Sequence, residues 1–191
     1  MKKSWLEPYL TAVLTGRRHI LDSWRRQVPA LSGRTKNFEN WLLVELVDRV
    51  SRSAKIRDLR TNGHFSDKKI KASEVDGLSG SKSKAVHLSP DISVRLKTGD
   101  RIVSSEIKTG LAPKEIFNDL KIVKHYNKET RVCNQAEFAW VVLLPDGETE
   151  RRSSAKSFEK IYLRMQEDNP DFLFVRREIT PWLVSVVAVP E

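Results

Sequence analysis

The sequence predicts an α/β fold, and three features predict it. Residues 88–110, LSPDISVRLKTGDRIVSSEIKTG, alternate apolar and polar side chains on either side of a turn, the pattern of a half-buried hairpin. Residues 138–144, FAWVVLL, are apolar throughout, as in a strand covered on both faces. Stretches with apolar residues at helical spacing precede the hairpin and separate it from that strand. Helix, hairpin, helix and buried strand in that order describe a layered sheet-and-helix domain.

Composition narrows the class. At 191 residues the chain is long enough for one full-sized domain with its own core. Lys and Arg number 34 against 25 Asp and Glu, a formal charge of +9, which suggests a polyanionic partner and nucleic acid first. A lone cysteine, Cys133, excludes an internal disulfide and a cysteine-rich zinc site. No apolar run approaches the ~18 residues of a membrane span. MKKSWLEPYL runs into Glu7 and Pro8 where a secretory signal would carry its apolar core. These features predict a soluble, cytoplasmic protein with no membrane partner.

Taken in order, residues 4–28 read as two helices. Trp5, Leu6, Tyr9, Leu10, Val13 and Leu14 make one stripe, Gly16 a stop, and Ile20, Leu21, Trp24 and Val28 a second stripe flanked by Arg17, Arg18, Arg25 and Arg26. A packed helical pair with a solvated arginine face is one reading, and a basic arm or dimerisation element the other. After a loop at 29–36, Thr35 or Asn37 can cap a helix running to about Arg52, with Leu42, Leu43, Leu46, Val47 and Val50 inward. Extending that stripe backwards lands on Glu39, a carboxylate that needs a partner or a metal if it faces the core. As a first-turn residue it is also favoured by the helix dipole. Glu45 falls on the other face, where Glu45 and Arg49 form an ordinary i,i+4 pair.

Lys55 to Leu59 suggests a first short strand. The segment to residue 87 is rich in Ser, Gly and Lys and reads as a long mobile connection. Its Lys68, Lys69, Lys71, Lys82 and Lys84 would suit phosphate contacts or simply be solvated. Gly77-Leu78-Ser79-Gly80-Ser81-Lys82-Ser83 lacks the spacing of a phosphate-binding loop. In the hairpin, Ile92, Val94 and Leu96 share a face, as do Val103, Ser105 and Ile107. Lys97-Thr98-Gly99-Asp100 carries the turn. An even-length loop centred on Thr98-Gly99 sets Val94 opposite Val103 and Asp91 opposite Glu106, with Lys108 one pleat along. Opposed like charges destabilise a sheet, and a divalent cation between them is the simplest reason for the pairing. Asp76 is held in reserve as an alternative acid. Pro113 opens a helix to about Tyr126 with Ile116, Leu120 and Val123 inward. Lys114 and Lys121 lie largely off that stripe, available to phosphates or solvated.

Pro90-Asp91, fourteen intervening residues and Glu106-Ile107-Lys108 resemble the signature of the PD-(D/E)xK nuclease superfamily. The resemblance covers about residues 37–145 and implies a restriction-endonuclease-like core: helix, three-stranded antiparallel sheet, helix, buried strand. It implies a DNA endonuclease dependent on Mg²⁺, with Mn²⁺ as substitute. Asp91, Glu106 and the Ile107 backbone carbonyl would hold the metal, and Lys108 would be catalytic. Phe38-Glu39-Asn40 resembles the superfamily's acidic position on the first helix, so Glu39 would serve a second metal or orient a water. Lys68, Lys69, Lys82, Lys84, Lys114 and Lys121 are the candidate DNA contacts. Residues 1–34 would form an N-terminal helical extension to this single domain and 150–191 a C-terminal αββ extension, with a helix at 154–167 and strands at 172–175 and 183–189. A homodimer would suit cutting both strands. The alternative is a silent nuclease-like module that binds nucleic acid or a protein partner. The histidines (His19, His64, His87, His125) show no metal-ligand spacing; His87 lies nearest Asp91 in sequence and reads as a solvated loop residue.

Overall fold

The computed structural model describes residues 3–27, 35–65, 70–78, 87–129 and 133–191. Helices α1 (Glu7–Gly16), α2 (Arg18–Gln27) and α3 (Thr35–Ser51) come first, followed by strand β1 (Ile56–Thr61). Two short strands, β2 (Ile70–Lys71) and β3 (His87–Leu88), pair with each other as a separate ribbon. Next come β4 (Ile92–Leu96), β5 (Ile102–Thr109), α4 (Pro113–Lys128), β6 (Gln135–Leu143), α5 (Glu148–Asp168), β7 (Phe172–Thr180) and β8 (Leu183–Pro190). The main sheet runs β1-β4-β5-β6-β8-β7. Its neighbours are antiparallel except β5 and β6, which α4 joins as a crossover. This is the mixed α/β architecture that the pattern of the sequence predicts.

The hairpin forms in the expected register: Ile92 pairs with Ser105, Ser93 with Ser104 and Val94 with Val103. Gly99 takes φ +74° and Asp100 φ +50°, the left-handed conformations that a tight turn between right-twisted strands demands. The first strand is shorter than residues 88–96. Leu88 belongs instead to the β2–β3 ribbon, because Pro90 has no N–H to carry a ladder further.

The sheet is covered on both faces, and β6 explains why its sequence lacks polar alternation. Phe138, Trp140 and Val142 join one core with Ile116, Leu120 and Tyr126 of α4 and with Phe158, Ile161 and Met165 of α5. Ala139, Val141 and Leu143 join the other, with Leu10 and Leu14 of α1, Leu42 and Leu46 of α3 and Ile92, Val94, Val103 and Ile107 of the hairpin. The connection between β1 and β4 is less open than its composition suggests. Ile70, Ala72, Val75 and Leu88 are buried in the core beside α4, and Lys121 donates to the Gly77 carbonyl.

The N-terminal segment is fixed by a buried acid. Glu137 on β6 is fully buried and accepts from Ser4 Oγ at 2.6 Å and from the N–H groups of Trp5 at 2.9 Å and Leu6 at 3.3 Å. Ser4 Oγ in turn accepts the Glu7 N–H at 2.9 Å, satisfying an otherwise unpaired donor of the first turn of α1. At the other end of the chain α5 begins earlier than residue 154, and β7 runs on to Thr180 rather than 175. Both C-terminal strands extend the sheet, β8 on β6 and β7 on β8. Among the described residues no helix is long and apolar enough to cross a membrane.

Candidate functional site

The site forms where the β4–β5 ladder ends. Asp91 stands one residue before β4, just outside the ladder, and its backbone carbonyl accepts the Asn62 N–H at 3.2 Å. Its carboxylate turns onto the β5 backbone. Oδ2 accepts the Ile107 N–H at 2.7 Å, taking the place of the strand partner that β5 lacks there. Burial raises the Asp91 carboxyl to about 6 against the lowering effect of that N–H; the Glu39 charge adds to the rise, and Lys108 works against it.

Glu106 lies on the opposite face of β5 from Val103 and Ile107, and it is 8% exposed. Beside it is the wholly buried Tyr126 of α4, whose phenol burial and then the Glu106 carboxylate keep protonated. The ring of His64 meets Tyr126 edge-on at 5.1 Å, with Nε2 3.2 Å from the Leu88 carbonyl, which packs the β1–β4 connection over this side of the site.

Lys108 reaches back toward the start of α3. Its Nζ is 3.5 Å from Glu39, 3.2 Å from Glu115 Oε2 and 3.9 Å from Asp119 Oδ2. Burial alone would lower its pKa, but the charges of Asp119, Glu39 and Glu115 outweigh it, so the amine titrates higher than an ordinary lysine. Glu39 also takes the Thr109 N–H at 3.2 Å and the Thr109 hydroxyl at 3.4 Å. Glu39 therefore sits at the end of β5, resolving its cost as a core-facing acid by pairing. The turn that follows is fastened from beneath: Trp140 Nε1 donates to the Gly110 carbonyl at 2.7 Å, and Gly110 takes φ +79°.

Glu39, Asp91 and Lys108 thus gather at one end of the hairpin, with Glu106 beside Tyr126, whose phenol both the Glu106 and Asp91 charges keep protonated. Asp76 is exposed in the β1–β4 connection. Lys114 is exposed on α4, whereas Lys121 commits a donor to Gly77. Lys68, Lys69, Lys82 and Lys84 lie outside the described residues. Glu115, Asp119, Thr109 and Tyr126 were not singled out by sequence. A signal for two of them exists: Glu115 and Asp119 are like charges at i,i+4, a costly helix pair unless a cation lies between.

Six ionisable groups, Glu39, Asp91, Glu106, Lys108, Glu115 and Asp119, carry one positive charge against up to five negative ones. A phosphate alone is repelled by such a set, and a divalent cation is attracted. The donors available on Asp91, Glu106 and the Ile107 carbonyl are hard oxygens, and the burial that raises Asp91 is relieved by a cation beside it, so the set fits Mg²⁺ or Mn²⁺. Among the described residues no three His, Cys, Asp or Glu side chains converge in ion-holding geometry; the set named here uses two carboxylates and a backbone carbonyl. No family model matches the chain, and searches of curated proteins and of solved structures find no match.

Proposed function

We propose that this chain is a divalent-metal-dependent DNA endonuclease with a restriction-endonuclease-like core of the PD-(D/E)xK type. The observation that carries the reading is the meeting of Asp91, Lys108 and Glu39 at the end of one hairpin, from three separate parts of the sequence, with Glu106 next along β5 and beside Tyr126, whose phenol both the Glu106 and the Asp91 charges keep protonated. The element order supports it: α3, then β1, β4 and β5 antiparallel, then α4, then β6 parallel to β5. That is the order the resemblance implies, with the β2–β3 ribbon inserted and α1, α2, α5, β7 and β8 added around it.

In this reading Asp91, Glu106 and the Ile107 carbonyl hold Mg²⁺, with Mn²⁺ as substitute. The ion, when bound, supplies Lewis-acid polarisation of the scissile phosphate and lowers the pKa of a water. Lys108 donates to the attacking water or to the oxygen on which charge develops. Glu39 fixes Lys108 and Thr109 and takes a water or a second ion. Plasmid nicking by the purified protein in Mg²⁺ or Mn²⁺, against a chelator control, tests the reading. Metal-dependent conversion of supercoiled to open-circular DNA is the expected result, and intact plasmid in both metals overturns it.

One observation favours a second reading. The Lys108 amine already faces three carboxylates, as it would in a nuclease-like module that holds nucleic acid or a protein partner without cutting. Salt-sensitive DNA binding with no nicking would select that reading.

A further inference from the structure

Along the hairpin from the acidic end, the same sheet face turns basic. Register sets Arg60 opposite Ser93 and Arg95 opposite Asp58, and the Ser93 hydroxyl meets that of Ser104 at 2.9 Å, two residues from Glu106. Both guanidinium groups lie against the ring of Phe65, Arg60 at 4.8 Å and Arg95 at 5.0 Å from its centroid. Arg60 Nη1 also donates to the His64 carbonyl at 2.7 Å, which holds Phe65 in place. Arg95 Nε is shut off from solvent with no hydrogen-bond partner; Asp100 Oδ1, its paired carboxylate, stands 3.6 Å away and is shared with Arg57 at 3.3 Å. Lys55, Lys97 and Arg101 are exposed around the same turn.

A guanidinium braced on an aromatic ring keeps its N–H edge free and loses little rotamer freedom when a phosphate docks. Two such groups on one ring are a preorganised phosphate clamp. The spacing suits a strand entering the site. Asp91 and Arg95 are four residues apart, about 13 Å at strand rise, or roughly four nucleotides at 3.4 Å each.

We infer that Arg60 and Arg95, held on Phe65, form a phosphate-binding subsite for the DNA strand flanking the cleaved phosphodiester. The inference takes its ligand from the nuclease reading. On this reading the clamp grips the backbone beside the acidic end, which holds the cation at which it is cut.

The test is fluorescence anisotropy of a labelled DNA duplex with the full chain, in chelator so that no cutting occurs, across a salt series. Variants are Arg60→Gln with Arg95→Gln, and Arg60→Lys with Arg95→Lys, each checked for folding by circular dichroism. Loss of two phosphate contacts predicts affinity about 60-fold weaker at 0.1 M salt and a log–log salt slope shallower by about 1.8 for the Gln pair. The Lys pair keeps the slope. Unchanged affinity and slope in the Gln pair overturn the subsite, and so does absence of DNA binding by the wild type. If the wild type cuts DNA while the Gln pair binds normally, the subsite fails and the nuclease reading stands. If the wild type binds with the predicted losses but never cuts in Mg²⁺, the subsite stands and the nuclease reading fails.

Discussion

At the scale of single residues, Asp91 reports most directly on the site. Its folded carboxyl titrates at about 6, against an ordinary 3.8, because burial outweighs the Ile107 N–H. Between those values the folded chain binds more protons than the unfolded one, so this group's contribution to metal-free stability falls as pH rises through that window. A cation at the site competes with the same proton. The Mg²⁺-induced rise in Tm is therefore expected to be small near pH 5, to grow through about pH 6 and to level off above it. In Asp91→Ala the rise should vanish. A shift of equal size at all pH values, or one retained in the variant, would separate the metal from Asp91. The hairpin register that sets Asp91 beside β5 was legible in the sequence, from the alternation on either side of the Thr98-Gly99 turn. The partners of Lys108 on α4 were not, since they depend on how that helix crosses back over the sheet.

At the scale of elements, the fold rests on long-range polar ties as well as on apolar stripes. Glu137 is the clearest. Burial pushes its pKa up, against the lowering effects of Ser4, the Trp5 and Leu6 N–H groups and Gln135, and it anchors the chain entering α1. Glu137→Ala leaves those donors without their acceptor. The expected cost is about 3 kcal/mol, seen as a Tm lower by about 6–12 °C for a chain of this size. Glu137→Gln, which keeps one accepting oxygen, should lose less. An unchanged Tm in the alanine variant would show that α1 docks through Leu6, Leu10 and Leu14 alone. Helices α1 to α4 were legible from their apolar spacing, and β6 from its run of apolar residues. Glu137 was hidden because a single acid in a buried strand carries no periodic signal. The β2–β3 ribbon was hidden too, since strands of two residues leave no pattern.

At the scale of the molecule, charge changes along the hairpin. The end of the hairpin holds Glu39, Asp91, Glu115 and Asp119 around Lys108, while Arg57, Arg95, Lys97 and Arg101 lie toward its turn, with Asp58 and Asp100 paired among them. The net charge of +9 sums these opposed regions and hides their separation. The β1–β4 register brings Arg60 and Arg95 onto one ring. An acidic centre with basic flanks suits cation-assisted hydrolysis of a polyanion. The most direct test is the nicking rate of Lys108→Ala beside wild type, at saturating Mg²⁺ and with folding confirmed by matched Tm. The account predicts a loss of about 10²–10⁴-fold, as expected when a catalytic donor is removed. Cutting by Lys108→Ala at the wild-type rate would contradict it.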